Sequence, residues 1–237
     1  MCIFRVSCIA WLLVAMVSCS KAGIDSSSDP QSPPFGGNFP ESRVKVIHAS
    51  PKLPAINLGF DQDRINSDFF SYRTYMANYI AVTPGNNVFK VFSYGSATPM
   101  LSKTIDFKSG KYYSVFITDT ASRLDAVSLL DDPGYSPGVD SVKLRFVNMS
   151  PDAGVLDLYV QDDEVPLVTG IDYKQGSPFF SVKNTGKTVY VVKKSGKEVA
   201  VSGAVEMDRG TYNTILVSGY LSQRDEKSQL VVGNVVH

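Results

Sequence analysis

The chain has 237 residues, of which 43% are hydrophobic and 19% charged, with 23 basic and 23 acidic side chains. That balance supplies neither a basic field for nucleic acid nor an acidic tract, and the length allows one large domain or two ordinary ones. Only two histidines occur, His48 and His237, and all three cysteines lie at or before position 19. A cysteine nucleophile, an internal disulfide framework and most metal sites are thereby excluded from the body of the chain, and no cofactor is expected.

The N-terminal segment reads as an export address. Arg5 is followed by a mostly apolar run from Val6 to Val17. This is too short for the ~20 residues that span a bilayer as a helix, so it matches the core of a signal peptide. The run ends at Met16-Val17-Ser18-Cys19, which resembles the lipobox of bacterial lipoproteins. That resemblance implies removal of residues 1–18 and lipidation of Cys19, so the expected partner is a membrane, reached through acyl chains. Cys2, Cys8 and Trp11 leave with the signal. Ser20 resembles the residue that follows the cysteine in outer-membrane sorting signals. The expected location is the bacterial cell envelope, at the outer membrane.

Residues 19–42 form a lipidated, flexible tether. Between Ser20 and Ser42, Ser, Pro and Gly fill 13 of 23 positions without apolar periodicity. Such a stretch buries too little surface to offset its ordering entropy, and as a coil it reaches about 25 Å.

Beyond it, one module is written twice. Arg43-Val44-Lys45-Val46-Ile47-His48-Ala49-Ser50-Pro51 aligns with Lys143-Leu144-Arg145-Phe146-Val147-Asn148-Met149-Ser150-Pro151 at an offset of 100. The match continues through Leu58/Leu158, Tyr72/Tyr173, Gly85/Gly186, Gly110/Gly210, Tyr112/Tyr212 and Asp125/Asp225. Val44, Val46 and His48 share one face of the opening strand, and Lys45, Ile47 and Ala49 share the other. Val88–Phe92, Tyr112–Ile117 and Thr214–Val217 are rich in β-branched and aromatic residues, with Gly- and Asn-containing turn signals between such runs. No amphipathic stretch reaches helical length. The expected fold is therefore all-β: two tandem immunoglobulin-like β-sandwiches of about seven strands each, over residues 43–134 and 135–237. Asp131–Gly138, with two prolines, is expected to join them semi-rigidly.

His48-Ala49-Ser50-Pro51 followed by Pro54-Ala55-Ile56-Asn57-Leu58, with the later Tyr79-to-Gly85 spacing, resembles the family known as domain of unknown function 4397. The resemblance covers about residues 43–237. It implies exported bacterial envelope proteins built from tandem immunoglobulin-like sandwiches, and it brings no catalytic residues. The second copy departs from the motif, with Asn148 for the histidine and Gly154 for the second proline.

Candidate chemistry is sparse. His48 with Ser50 and Asp61 or Asp63 would make a nucleophile and base. Yet two residues along a strand are ~6.6 Å apart, and Asn148 in the second copy lacks histidine's proton chemistry. A polar side chain tying a strand end to its turn is expected instead. Gly186-Lys187-Thr188 ends like a phosphate loop but lacks the preceding glycine and is read as a hairpin turn before a strand. Asp61-Gln62-Asp63 and Asp162-Asp163-Glu164 lack calcium-loop spacing and read as solvated loops. No catalytic or metal residue is assigned.

Tyr94, Tyr135 and Tyr220 sit in polar, Gly- or Ser-rich surroundings and are the expected exposed ligand contacts, whereas Phe69, Phe70, Tyr72, Tyr75 and Tyr79 read as core and sandwich edge. The expected function is a non-catalytic, membrane-anchored binding, adhesion or assembly module with a protein or glycan ligand. A glycan-capturing accessory lipoprotein and a fimbrial subunit are the alternatives.

Overall fold

Runs in which apolar residues occupy every second position need a second layer to cover them, and the duplication provides four such layers. The computed structural model describes residues 40–132 and 136–237, so Cys19, the signal and tether residues before position 40, and Tyr135 lie outside the described residues. The first repeat contains β1 (Ser42–His48), β2 (Ile56–Phe60), β3 (Asp63–Arg64), β4 (Ile80–Val82), β5 (Gly85–Ser93), β6 (Pro99–Phe107), β7 (Tyr112–Thr118) and β8 (Asp125–Leu130). The second contains β9 (Ser141–Asn148), β10 (Leu156–Val160), β11 (Val168–Ile171), β12 (Gln175–Gly176), β13 (Phe180–Lys183), β14 (Lys187–Lys194), β15 (Lys197–Glu206), β16 (Tyr212–Ser218) and β17 (Val231–Val236). The chain is all-β across the described residues, with eight and nine strands in place of the seven expected per copy.

Each repeat is a sandwich of two sheets. In the first, the order β4-β1-β7-β8 faces β3-β2-β5-β6; in the second, β12-β9-β16-β17 faces β11-β10-β14-β15, with β13 also pairing β9. The β1–β7 and β9–β16 pairs are parallel and hold equivalent registers: Lys45 lies opposite Ser114, and Arg145 opposite Thr214. Val44, Val46, Leu58, Phe89, Phe107 and Val115 are among the side chains filling the first sandwich. Leu144, Phe146, Leu158, Val192 and Ile215 fill the second.

The turn read at Asn184-Thr185-Gly186 is not a hairpin. β13 pairs with β9 and β14 with β10 and β15, so the segment is a corner carrying the chain from one sheet to the other. Gly186 takes φ +85° there, and Gly85 takes φ +105° at the matching corner between β4 and β5. Turn residues mark a reversal in either case and do not specify which sheet receives the next strand.

A third apolar layer lies between the sandwiches. Ile47, Ala49 and Phe116 from the outer face of the β4-β1-β7-β8 sheet pack with Val147, Met149, Leu216 and Val235 from the β12-β9-β16-β17 sheet. β1, β7, β9 and β16 are thus buried on both faces, so even their polar side chains, Lys45, Ser114, Arg145 and Thr214, lie out of solvent.

At the edge of this layer lies a buried polar network arranged about a pseudo-twofold. Arg145 Nη1 pairs with Asp131 Oδ1 at 2.7 Å, both side chains 2% exposed or less. Asp131 Oδ2 accepts hydrogen bonds from Tyr79 Oη at 2.7 Å and Ser114 Oγ at 2.8 Å. Lys45, at the position answering Arg145, donates to the carbonyls of Ala77 (3.0 Å) and Val236 (2.8 Å). Burial lowers the Lys45 pKa to about 8 despite the Asp131 charge. His237 takes the place answering Asp131: their backbone N–H groups bond the Tyr212 and Tyr112 carbonyls, respectively. Its imidazole, held well below its usual pKa by burial, bridges Tyr79 Oη at 2.7 Å and Thr214 Oγ1 at 2.8 Å.

Candidate functional site

The loops at one end of the first sandwich build an exposed aromatic shelf. Phe69 and Phe70 are adjacent, and extended chain sends neighbouring side chains to opposite sides. Phe70 bridges to Ile56 and is buried in the core, which turns Phe69 outward to 69% exposure. Tyr94 follows β5, with its N–H bonded to the Ala55 carbonyl, and is 48% exposed. The two rings stack with centroids 4.3 Å apart and planes 27° apart.

Two asparagines hold the loops that carry these rings. Asn66 Oδ1 accepts from the Leu58 N–H at 2.6 Å, while its Nδ2 donates to the carbonyls of Ile56 and Asp68. Asn57 Oδ1 accepts the N–H of Gly95 at 3.0 Å. Gly59 is required by proximity, because a Cβ there would lie 2.7 Å from the Asp63 carbonyl oxygen. Arg64 lies 3.8 Å over the Phe92 ring and donates to the Ser96 carbonyl. Beside the shelf opens a shallow trough of about 600 Å³ with a mixed lining that includes Asn57, Arg64, Ile65, Ser67 and Ser96. An exposed ring face next to guanidinium, hydroxyl and backbone groups can stack on the apolar face of a flat molecule and hydrogen-bond its rim.

The second copy lacks the shelf. The registers of β2–β5 and β10–β14 place Gly170 at the position of Phe69 and Ser195 at that of Tyr94.

Of the three tyrosines expected as exposed contacts, Tyr94 is on the surface and Tyr135 lies outside the described residues. Tyr220 is corrected: it is 8% exposed, with its hydroxyl 3.4 Å from Asp119 Oδ1, and burial lifts its pKa to about 12. Its polar sequence neighbours are turn residues, and the turn folds the ring back between the repeats. Phe69, read from sequence as core, is the residue that reasoning missed. The signal was present in the Phe69-Phe70 pair, since only one of two adjacent rings can enter a sandwich from an extended segment.

His48 is fully buried. Its Nδ1 accepts from the Ser50 N–H at 3.3 Å, while Ser50 Oγ donates to the Asp119 backbone carbonyl. Burial lowers the His48 pKa to about 4, partly opposed by the Pro54 carbonyl. Asn148 repeats the arrangement, accepting from the Ser150 N–H at 3.0 Å and donating to the Gly154 carbonyl at 2.8 Å. The motif ties a strand end to its turn, as its sequence implied, and Ser50 Oγ faces a carbonyl instead of a base. Asp61 (φ +52°) and Asp162 (φ +67°) are left-handed turn residues one position apart in register, since Gln161 is the counterpart of Asp61, and Asp61 Oδ1 caps the Val88 N–H at 2.8 Å. No group of three or more His, Cys, Asp or Glu side chains able to hold a metal occurs among the described residues.

Among curated proteins, none matches the chain. One similar solved structure is a family CBM26 carbohydrate-binding module from Eubacterium rectale Amy13K, crystallised with maltoheptaose. It is 7% identical, covers 83% of this chain and 96% of its own, and has a TM-score of 0.26, too low to support an argument about fold or ligand. The model of the domain of unknown function DUF4397 matches in two segments, residues 42–159 and 142–234, following the duplication read from the sequence. On that match the chain belongs to the DUF4397 family.

Proposed function

We propose that the protein is a non-catalytic lipoprotein of the bacterial envelope that binds a glycan through the tip of its first sandwich. Cys19 carries the lipid, residues 19–42 hold the sandwiches away from the outer membrane, and the Phe69–Tyr94 shelf makes the contact. The observation that carries this reading is the pair of stacked, solvent-facing rings beside the shallow trough. Isolated exposed side chains are ordinary, but two large aromatics stacked in water, on loops pinned by Asn57 and Asn66, form a prepared apolar surface. Sugar rings combine an apolar face with a hydroxyl rim and suit such a place. Single stacked contacts supply modest energy, so affinities in the micromolar to millimolar range are expected.

The test is titration of oligosaccharides onto the chain made without its first 19 residues, with Phe69→Ala and Tyr94→Ala beside it. Saturable binding lost in both variants supports the reading. Absence of binding across neutral and acidic oligosaccharides at millimolar concentration, or binding indifferent to both substitutions, overturns it. The anchor is tested separately: Cys19→Ala should move the protein from the membrane fraction to the soluble fraction.

A further inference from the structure

Besides the Asp131/His237 exchange, the pseudo-twofold between the sandwiches is broken at a second place, where a pocket opens. On one side of the axis, Val147, Phe116, Val127 and Leu129 fill the space around Gly176. A Cβ on Gly176 would lie 2.9 Å from Val147 Cγ2 and 3.0 Å from Leu129 Cδ1. Lys174 closes this side by pairing with Asp125 Oδ2 at 2.7 Å.

The β7–β8 and β16–β17 registers give each of these residues a counterpart: Leu216 answers Phe116, Gly233 answers Val127, Val235 answers Leu129, and Val231 answers Asp125, in place of Asp225, which the constant sequence offset pairs with it but which lies in the loop before β17. Arg73 answers Lys174; both have φ near +67° and both donate their backbone N–H to the end of the opening strand, at His48 and Asn148. Three of these exchanges remove bulk, whereas Tyr75 in place of Gly176 adds it and forms part of the pocket wall. A pocket of about 270 Å³ remains, lined by Ile47, Tyr75, Leu216, Gly233 and Val235, with Arg73 and Ser218 also on its wall. A Cβ on Gly233 would meet no heavy atom within 4 Å.

The charge at this pocket is also unmatched. Replacement of Asp125 by Val231 leaves Arg73 without the carboxylate that Lys174 enjoys. Arg73 donates to the Glu226 backbone carbonyl at 2.9 Å and lies 4.9 Å over the Tyr72 ring, and no ion pair reaches it among the described residues.

We propose that this pocket binds a small amphipathic carboxylate, with the chemistry of a medium-chain fatty acid. Its carboxylate takes the place at Arg73 that Asp125 takes at Lys174, and its alkyl chain takes the volume that Phe116, Val127 and Leu129 fill on the other side. An apolar cavity of about 150 Å³ suffices for benzene, so this one accommodates an alkyl chain of roughly eight to ten carbons. The site is separate from the aromatic shelf, and its fate does not depend on glycan binding.

The test titrates octanoate, decanoate and octan-1-ol onto the chain made without its first 19 residues, followed by calorimetry and amide chemical shifts. One-to-one binding is expected, with decanoate about tenfold tighter than octanoate because two further methylenes are buried. Arg73→Gln should weaken octanoate about tenfold and leave octan-1-ol unchanged, since the lost interaction is a charge-assisted hydrogen bond. Gly233→Val and, independently, Leu216→Phe restore bulk found across the axis and should abolish binding of both ligands while the melting temperature holds or rises. The proposal is overturned if octanoate and decanoate fail to saturate at millimolar concentration. It is equally overturned if either filling variant folds and still binds, or if Arg73→Gln affects acid and alcohol alike.

Discussion

The two sandwiches share a register and differ in what they do with it. At the loop end, the first copy displays Phe69 and Tyr94 where the second has Gly170 and Ser195. At the strand end, a buried His48 does the work of Asn148. Between the copies, Arg145 finds the Asp131 carboxylate, whereas Lys45 finds only carbonyls and rings. Duplicated backbones therefore preserve hydrogen-bond positions while charge and bulk drift, and the drift concentrates at the loop tip and the central interface. A duplicated module can keep one copy as scaffold while the other acquires a surface, and here the first copy carries the exposed rings.

The largest effect is expected where the asymmetry is electrostatic. Asp131→Ala would leave Arg145 buried without its carboxylate, and would strip the acceptor from Tyr79 and Ser114. Breaking one side of a buried pair typically costs about 3–5 kcal/mol. Denaturant unfolding should show a loss of that order. A loss under about 1 kcal/mol would mean that the central interface contributes little to stability.

Replacing His48 by the residue of the other copy sharpens the comparison. The His48 pKa is about 4 in the folded chain, below the 6.5 of a free imidazole. Between those values the unfolded chain binds a proton that the folded chain refuses. The contribution is fully present above pH 6.5 and is lost as pH falls toward 4, amounting to about 3 kcal/mol. His48→Asn should be close to neutral at pH 7.5 and should flatten this acid limb. His237 titrates in the same direction in both proteins and cancels in the difference. Parallel acid limbs for the two proteins would show that His48 is not the group responsible.

Lys45 works in the opposite pH range. Its folded pKa of about 8 lies below the 10.5 of a free lysine, so the folded chain releases its proton first. Stability therefore rises from about pH 8 to 10.5 as the penalty for burying the ammonium disappears. Lys45→Met should change stability at pH 7 by no more than about 1 kcal/mol, because lost hydrogen bonds offset removal of a buried charge. It should also remove the alkaline rise, which urea unfolding at pH 7 and pH 10 would read. A variant as destabilised as Asp131→Ala would show that lysine and arginine are held equally well across the pseudo-axis.

How much of this was legible in the sequence differs by element. The opening strands, the duplication and the all-β class followed from alternation and turn residues, because those signals are local. The stacking of the sandwiches was not legible. Alternation assigns Lys45 to the second face of its strand without saying what covers that face, and the cover shows only in the pairing of Arg145 with Asp131, a residue of the expected joint. The shelf was half legible: Tyr94 stood in a Gly- and Ser-rich loop, but the exposure of Phe69 depends on a bridge between Phe70 and Ile56. Tyr220 shows the converse, a polar turn whose ring is folded inward by a partner 101 residues away.

The smallest structural effect carries the sharpest functional contrast. Tyr94→Ser gives the first copy the residue found at that place in the second. Tyr94 is 48% exposed and its ring leans mainly on Phe69, itself exposed, so the substitution should change stability by no more than about 0.5 kcal/mol. On the proposed function, it should nonetheless remove oligosaccharide binding. Concurrent loss of stability and binding would recast the shelf as part of the core's edge. Unchanged stability with binding lost would separate surface from scaffold at a single ring, as the second copy already does by carrying the same fold without the shelf.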